Sequence, residues 1–269
     1  MRPAAIGGGG VILLIIGYLL YGNLGDAKRF ADQAGPVVNR QNSQVVGEPP
    51  KDGAKEFAEQ VIGLTDEAWG ELFRKYYREA YQPPKMVLFS EAVDTGCGRA
   101  PSAVGPFYCP ADRQVYVDPT FFDELEQKLG GSSADFSKAY VIAHEVGHHV
   151  QNLLGYNELV EKFRRREGEN AGIRLELQAD YLAGVVWHHV ERRHRVLEKG
   201  DVEAAITSAK AIGDDRLQQR SGGWVNPEKF NHGTSAQRVK YFRQGLETGD
   251  ASPRALERFF DPNVKPLEL

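Results

Sequence analysis

The segment His144-Glu145-Val146-Gly147-His148 constrains this 269-residue chain more than any other feature. It lies in residues 139–154, a stretch apolar on most faces, and such a pattern reads as a helix buried nearly all round. Four residues of α-helix turn through about 400°, so the two histidines share one face about 6 Å apart along the axis. Both imidazoles can then reach one ion at roughly 2.0–2.1 Å. Glu145, one position along, can touch a water at such an ion without ligating the ion itself. Stranded polar groups in a buried helix cost about 1–3 kcal/mol each, and a metal would supply their partner. The bland alternative sets these side chains on a solvated helix edge.

A second motif, Glu176-Leu-Gln-Ala-Asp180, lies 28 positions beyond His148 in a helical run over residues 170–194. Acids four residues apart share a helix face and repel unless a positive group lies close. Glu176 is the expected third metal ligand. Asp180 is the expected acceptor for the outer N–H of a ligating histidine, most simply His144, fixing its tautomer. A pair of exposed acids is the alternative, opposed by the apolar neighbours Leu175, Leu177, Leu182, Val185, Val186 and Trp187.

Residues 4–22 carry no charge, and as a helix they would span about 28 Å, close to a bilayer core. An uncleaved signal anchor is favoured over a cleavable signal peptide, because only a mediocre cleavage site follows, near Ala27. Residues 23–54 read as a polar tether rich in turn formers. Cys97 and Cys109 are the only cysteines. In an exported domain they are expected to form a disulfide, with two buried free thiols as the alternative. A net charge of −4 and the lack of a basic-aromatic stripe give no support for nucleic-acid binding.

From residue 55 the chain becomes globular. Residues 56–62 and 66–80 read as two helices, the second capped by Thr65. Residues 86–93 read as one buried strand, with further strands at 107–108 and 114–117. Helices are expected at 119–129 and at the metal motif, the latter capped near Ser133 or Asp135 and ended by Gly155. Others follow at 170–194, at 201–219 with an interruption near Gly213, and last at 235–246. Strands early and helices late make an α+β fold, with a small antiparallel sheet on a mainly helical body. The expected division is 1–22 membrane segment, 23–54 tether, 55–250 catalytic domain and 251–269 tail.

The chain resembles the neutral zinc metallopeptidases of bacteria over about residues 69–249. The resemblance is carried by Tyr81-Gln-Pro-Pro-Lys-Met-Val-Leu-Phe, Thr95-Gly-Cys-Gly, Ala103-Val-Gly-Pro-Phe-Tyr-Cys-Pro-Ala-Asp, the two metal motifs, Ala211-Ile-Gly-Asp-Asp-Arg-Leu-Gln and His232-Gly-Thr-Ser-Ala-Gln-Arg. It implies a zincin-like domain in the cell envelope behind one N-terminal membrane segment, and metal-dependent peptide hydrolysis. Members often carry cysteine where Tyr181 stands here and another near the C-terminus. This chain has neither, and its tail from residue 252 also departs from the pattern.

The leading expectation is a single-pass membrane protein with an extracytoplasmic catalytic domain that cleaves peptides or proteins. One Zn2+ per chain is held by His144, His148 and Glu176, and Glu145 serves as general base. His232, in a loop before the last helix, is the first candidate for stabilising the developing oxyanion, against a merely structural role. Tyr108, Tyr116 and Arg238 are lesser candidates. Residues 113–118 read either as an edge strand that a peptide could extend or as an internal strand. His149 reads as structural or as support behind a ligand, the group His188, His189 and His194 as a solvated face, and Asp214-Asp215 as a local turn or ion pair rather than a calcium site. Two competing functions are a non-catalytic, zinc-containing envelope interaction protein and a zinc hydrolase of another kind, such as an amidase.

Overall fold

A computed structural model describes residues 44–46, 52–222 and 225–269. The expected membrane segment and nearly all of the tether lie outside the described residues. Among the described residues, no helix is long and apolar enough to cross a membrane. The chain forms two compact units: the described residues up to Lys55 with Lys85–Phe121, and Glu56–Pro84 with Phe122–Leu269.

The first unit holds six strands: β1 (Gln44–Val46), β2 (Lys85–Leu88), β3 (Ala92–Thr95), β4 (Gly98–Pro101), β5 (Phe107–Cys109) and β6 (Gln114–Val117). They form two three-stranded sheets, β1-β3-β4 and β2-β6-β5, rather than the single antiparallel sheet expected. The first is antiparallel. The second is mixed, since β6 runs parallel to β2 and antiparallel to β5. The expected strand over 86–93 is broken because Glu91 takes a positive φ of 63°, which sends β2 and β3 into different sheets. Tyr116 pairs with Val87 on one side and Phe107 on the other, so β6 is central and residues 114–117 offer no free edge to a peptide.

The core of this unit is Phe89, Val93, Ala100, Val104, Cys109 and Tyr116. Cys97 and Cys109 form the expected disulfide, with Cα atoms 5.8 Å apart, and it joins the β3–β4 turn to β5. Asp112 reinforces that junction by accepting from Gly96 N–H and from the Tyr116 hydroxyl, each at 2.7 Å. The Tyr116 hydroxyl therefore serves the sheet unit's own turn.

The second unit is helical. Its elements are α1 (Asp52–Tyr76, whose first residues belong to the other unit), α2 (Thr120–Gln127), α3 (Asp135–Leu153), α4 (Tyr156–Glu167), α5 (Gly172–His194), α6 (Asp201–Ala211), α7 (Asp214–Gly222), α8 (Ser235–Thr248) and α9 (Pro253–Glu257). The two helices expected near the start are one. Thr65 is not a cap: it is fully buried in mid-helix and its hydroxyl donates back to Ile62 O at 2.9 Å. α3 starts at Ala134 without a side-chain cap, so the expected Ser133 or Asp135 cap does not form, although Asp135 sits in the first turn where the helix dipole favours an acid. Gly155 takes a left-handed φ of 78° just past its end. α8 begins with a complete capping box between Thr234 and Gln237.

α5 is buried nearly all round and packs on α3 and, most extensively, on α8. The α5–α8 crossing depends on glycine. A Cβ on Gly184 would lie 2.1 Å from Phe242 O, and one on Gly245 would lie 2.0 Å from Tyr181 O. The segment after α8 packs on this body. Arg174 of α5, fully buried, forks onto Glu167 at 2.8 Å and donates to Phe259 O and Val264 O. Tyr181 donates to Asp250 O at 2.7 Å, and Arg258 stacks over its ring at 4.5 Å. These contacts are non-covalent and stand where the resemblance led one to look for a cysteine. Nor are His188 and His189 a solvated face: they hydrogen-bond Leu246 O and Gly249 O at 2.8 Å each and tie the end of α5 to α8.

Two expected outcomes follow from this packing. Gly184→Ala forces backbone apart from backbone and should cost about 3 kcal/mol or more, read as a lowered urea midpoint in the full chain; an unchanged midpoint would contradict the crossing. Asp66 sits in the middle of α1, where burial raises its carboxyl to about 6 despite the opposing Tyr81 hydroxyl. Such a group contributes most below its unfolded pKa of about 3.9 and loses that contribution as pH rises through 6. Asp66→Asn should therefore raise the thermal midpoint at pH 8 and leave it unchanged near pH 4.

Candidate metal centre

Every residue of the centre belongs to the helical unit. α3 carries His144 and His148 one turn apart, with ring centroids 4.8 Å apart and planes at 90°. Gly147, between them in sequence, is what lets α5 come close: a Cβ there would lie 3.1 Å from Ala179 O and 3.2 Å from Ala179 Cα. Ala179 lies between Glu176 and Asp180 in sequence, next to Asp180, so the contact brings both acids against the histidines.

The Glu176 carboxylate faces both imidazoles. Its Oε2 is 3.3 Å from His144 Nε2 and its Oε1 is 3.5 Å from His148 Nε2. Two ligand atoms at about 2.0–2.1 Å from a tetrahedral ion lie about 3.3 Å apart. The donor set, two imidazoles and one carboxylate, and its spacing therefore fit a divalent metal ion. Glu145 forms with the same histidines a cluster whose candidate ligand atoms all lie within 4.8 Å of one another.

Behind the histidines the packing is polar and dense. Asp180 Oδ1 accepts from Tyr140 at 2.6 Å and pairs with His144 Nδ1 at 2.9 Å. Arg238 of α8 is buried and donates to both Asp180 oxygens, at 2.8 and 3.0 Å. It also donates to Ile212 O, so it backs Asp180 instead of serving as a free donor to substrate. His148 Nδ1 meets Gln151 at 2.8 Å.

The charges follow these contacts. Burial would lift the Asp180 carboxyl, but the Arg238 and His144 charges and hydrogen bonds outweigh it and hold it at about 2. Burial would likewise lower His144, yet the Asp180 charge and the hydrogen bonds to Asp180 and Glu176 raise it to about 10. His148 lacks an anion on its outer side. Burial takes it down to about 4, with the Glu176 charge offsetting only part. Glu176 is held well below the usual carboxylate range: burial opposes this, but the His148, His232 and His144 charges prevail. Without metal, then, the two histidines are held unequally, His144 towards its charged form and His148 towards its neutral one.

His232 lies in the loop between α7 and α8. Its Nδ1 is 3.1 Å from Asp214 Oδ1. Asp214 Oδ2 accepts the backbone N–H groups of Asn231, His232 and Gly233 at 2.6–3.0 Å. Burial lowers the His232 pKa, but the Asp214 and Glu176 charges raise it overall. Asp215 accepts from Ser235 N–H and hydroxyl, both at 2.7 Å. Asp214 and Asp215 are not in a local turn: they open α7 and are occupied with the loop before α8, where Asp214 pairs with His232, as the ion-pair reading allowed. His149 points away and bonds Gln82 O at 2.6 Å. Tyr108 and Tyr116 belong to the sheet unit.

Some residues of the centre escape sequence reasoning. Gln151 is three residues after His148 on the same helix, a spacing that places neighbours on one face and could have drawn attention. Nothing in the spacing links Asp214 to His232, or Arg238 to Asp180; those meetings are tertiary.

With a buried helix pair that presents two imidazoles and a carboxylate to one point, the centre has the form of a metal-binding site. The chain belongs to the family described as "Putative neutral zinc metallopeptidase", which matches residues 2–255. It is 44% identical over 248 residues to the uncharacterized protein YpfJ of Escherichia coli (strain K12), covering 91% of this chain and 85% of that protein. It is 43% identical over 195 residues to the uncharacterized protein Rv2575 of Mycobacterium tuberculosis (strain ATCC 25618 / H37Rv), covering 69% of this chain and 64% of that one. No solved structure matches.

Because His144 must lose its proton before Nε2 can serve a metal, metal uptake should release about one proton, and affinity should rise with pH across the neutral range. Calorimetric titration in buffers of different ionisation enthalpy reads the proton count; a count of zero would contradict the charge assignment.

Proposed function

We propose that this chain is a membrane-tethered, zinc-dependent endopeptidase with its helical unit on the extracytoplasmic side. The single observation that carries the reading is one carboxylate 3.3 and 3.5 Å from two imidazoles on a neighbouring helix. His144, His148 and Glu176 would hold one zinc ion, and membership of the family supports zinc over other divalent metals. A zinc ion held there supplies a lowered pKa for water, towards ~7, and polarisation of the scissile carbonyl.

The chain's own residues do the rest. Glu145, 8% exposed beside the histidines, removes a proton from the attacking water and returns it to the leaving amine. Asp180 holds His144 by Nδ1, with Arg238 behind it. His232, held at Nδ1 by Asp214 and kept protonated more readily than a free imidazole, donates to the developing oxyanion. The Cys97–Cys109 disulfide supports an oxidising, exported compartment. The uncharged residues 4–22 support a membrane anchor.

The test combines metal analysis with cleavage of a peptide library by the full chain. About one zinc per chain is expected. Glu145→Gln should abolish cleavage with zinc retained, and His232→Ala should lower kcat by about 10²–10³ with little change in KM. Glu176→Ala should instead lower zinc occupancy. Zinc bound by the unaltered chain without cleavage of any library member would favour a non-catalytic interaction protein.

A further inference from the structure

The two histidines are backed by different chemistry. A carboxylate stands behind His144, whereas His148 is backed by neutral amides arranged in series. His148 Nδ1 lies 2.8 Å from Gln151 Oε1. Gln151 Nε2 lies 2.6 Å from Leu175 O and 3.0 Å from Gln178 Oε1. Gln178 Nε2 lies 3.0 Å from Leu256 O, in α9 of the C-terminal segment. Both glutamines are fully buried.

The direction of every bond in this series is decided by its two ends. A backbone carbonyl can only accept. Leu256 O therefore turns the NH2 of Gln178 towards α9 and its oxygen towards Gln151. Leu175 O and Gln178 Oε1 both require donors, so Gln151 gives them its NH2. Its oxygen is left facing His148, and that oxygen can only accept. His148 must then carry hydrogen on Nδ1, and the neutral ring therefore turns the lone pair of Nε2 towards Glu176 Oε1, 3.5 Å away. Two acceptors facing each other at that distance in a buried site call for a cation between them.

We propose that the Gln151–Gln178–Leu256 carbonyl series sets the tautomer of His148, so that Gln151 and Gln178 are positioning residues for metal binding and the C-terminal segment is coupled to the centre through them. The proposal rests on the metal-site reading above. Amides suit this side better than acids. Glu176 and Asp180 already bury two negative charges there, and Arg238 is engaged with Asp180. The coupling is graded. Leu175 O alone orients Gln151, and Gln178 adds a second constraint that depends on α9 being docked.

The experiment uses the full-length chain labelled with 15N-histidine, together with chelator competition for zinc. In the zinc-free protein, the His148 ring should show the Nδ1–H pattern in long-range 1H–15N correlation. Gln151→Met, similar in size but unable to accept, should lose that pattern and bind zinc about 10–100-fold more weakly. Gln151→Glu, which keeps an acceptor but loses the NH2 that Leu175 O and Gln178 Oε1 require, should regain the pattern and only part of the affinity. Gln178→Met should give a smaller loss in the same direction. A folded Gln151→Met that keeps both the pattern and the affinity overturns the proposal, as does an Nε2–H pattern in the unaltered chain. If Gln151→Met does not fold, Gln178→Met decides by the same two readouts. If the unaltered chain binds no zinc, the metal reading falls, and the tautomer alone still judges the series.

Discussion

The centre depends on how closely α3 and α5 approach. An imidazole on one helix and a carboxylate on the next can share an ion only if their backbones come nearer than ordinary side chains permit. Gly147 against Ala179 provides that approach, with backbone atoms of Ala179 within 3.2 Å of where a Cβ would stand. The same device, a glycine pair with no side chain to interpose, locks α5 to α8 at Gly184 and Gly245. α5 is thereby pressed between two partners, and its polar side chains are delivered to fixed points on both.

Burying that much charge is costly unless it is balanced. Glu145, Glu176 and Asp180 are the buried carboxylates of the centre, and Arg238 matches Asp180. Glu176 lies against both imidazoles, and His144, held towards its charged form, faces it at 3.3 Å. A divalent ion held there would exchange with a proton. The two histidines are treated unequally, one lifted by an anion behind it and the other lowered by burial beside a neutral amide.

The region after α8 illustrates what substitutes for a covalent tie. Tyr181 occupies a position where the family resemblance led one to look for cysteine. It reaches Asp250 O through its hydroxyl and accepts Arg258 over its ring. Arg174 and Gln178, two further residues of α5, hold carbonyls of residues 256–264. Hydrogen bonds to backbone carbonyls are specific in geometry but reversible. The docking of this segment is thus distributed over one buried face of α5, roughly opposite the face that supplies Glu176 and Asp180.

Residue spacing within single helices was legible from the sequence, because helical periodicity is a local property. It placed His144 with His148 and Glu176 with Asp180, predicted that α3 and α5 are buried, and gave the α+β class. The nearby cysteines were legible for the same reason. Boundaries that hinge on one backbone angle were not: Glu91 splits an expected strand, and Thr65 lies within a helix instead of starting one. Nor was the strand order, since β6 became central only when two distant segments paired with it. The approach of α3 to α5, the backing of Asp180 by Arg238, the setting of His232 by Asp214 and the amide series behind His148 were decided by tertiary structure. Apart from the His148–Gln151 step, each joins side chains far apart along the chain, and only the packing of helices, which no local pattern encodes, brings them together.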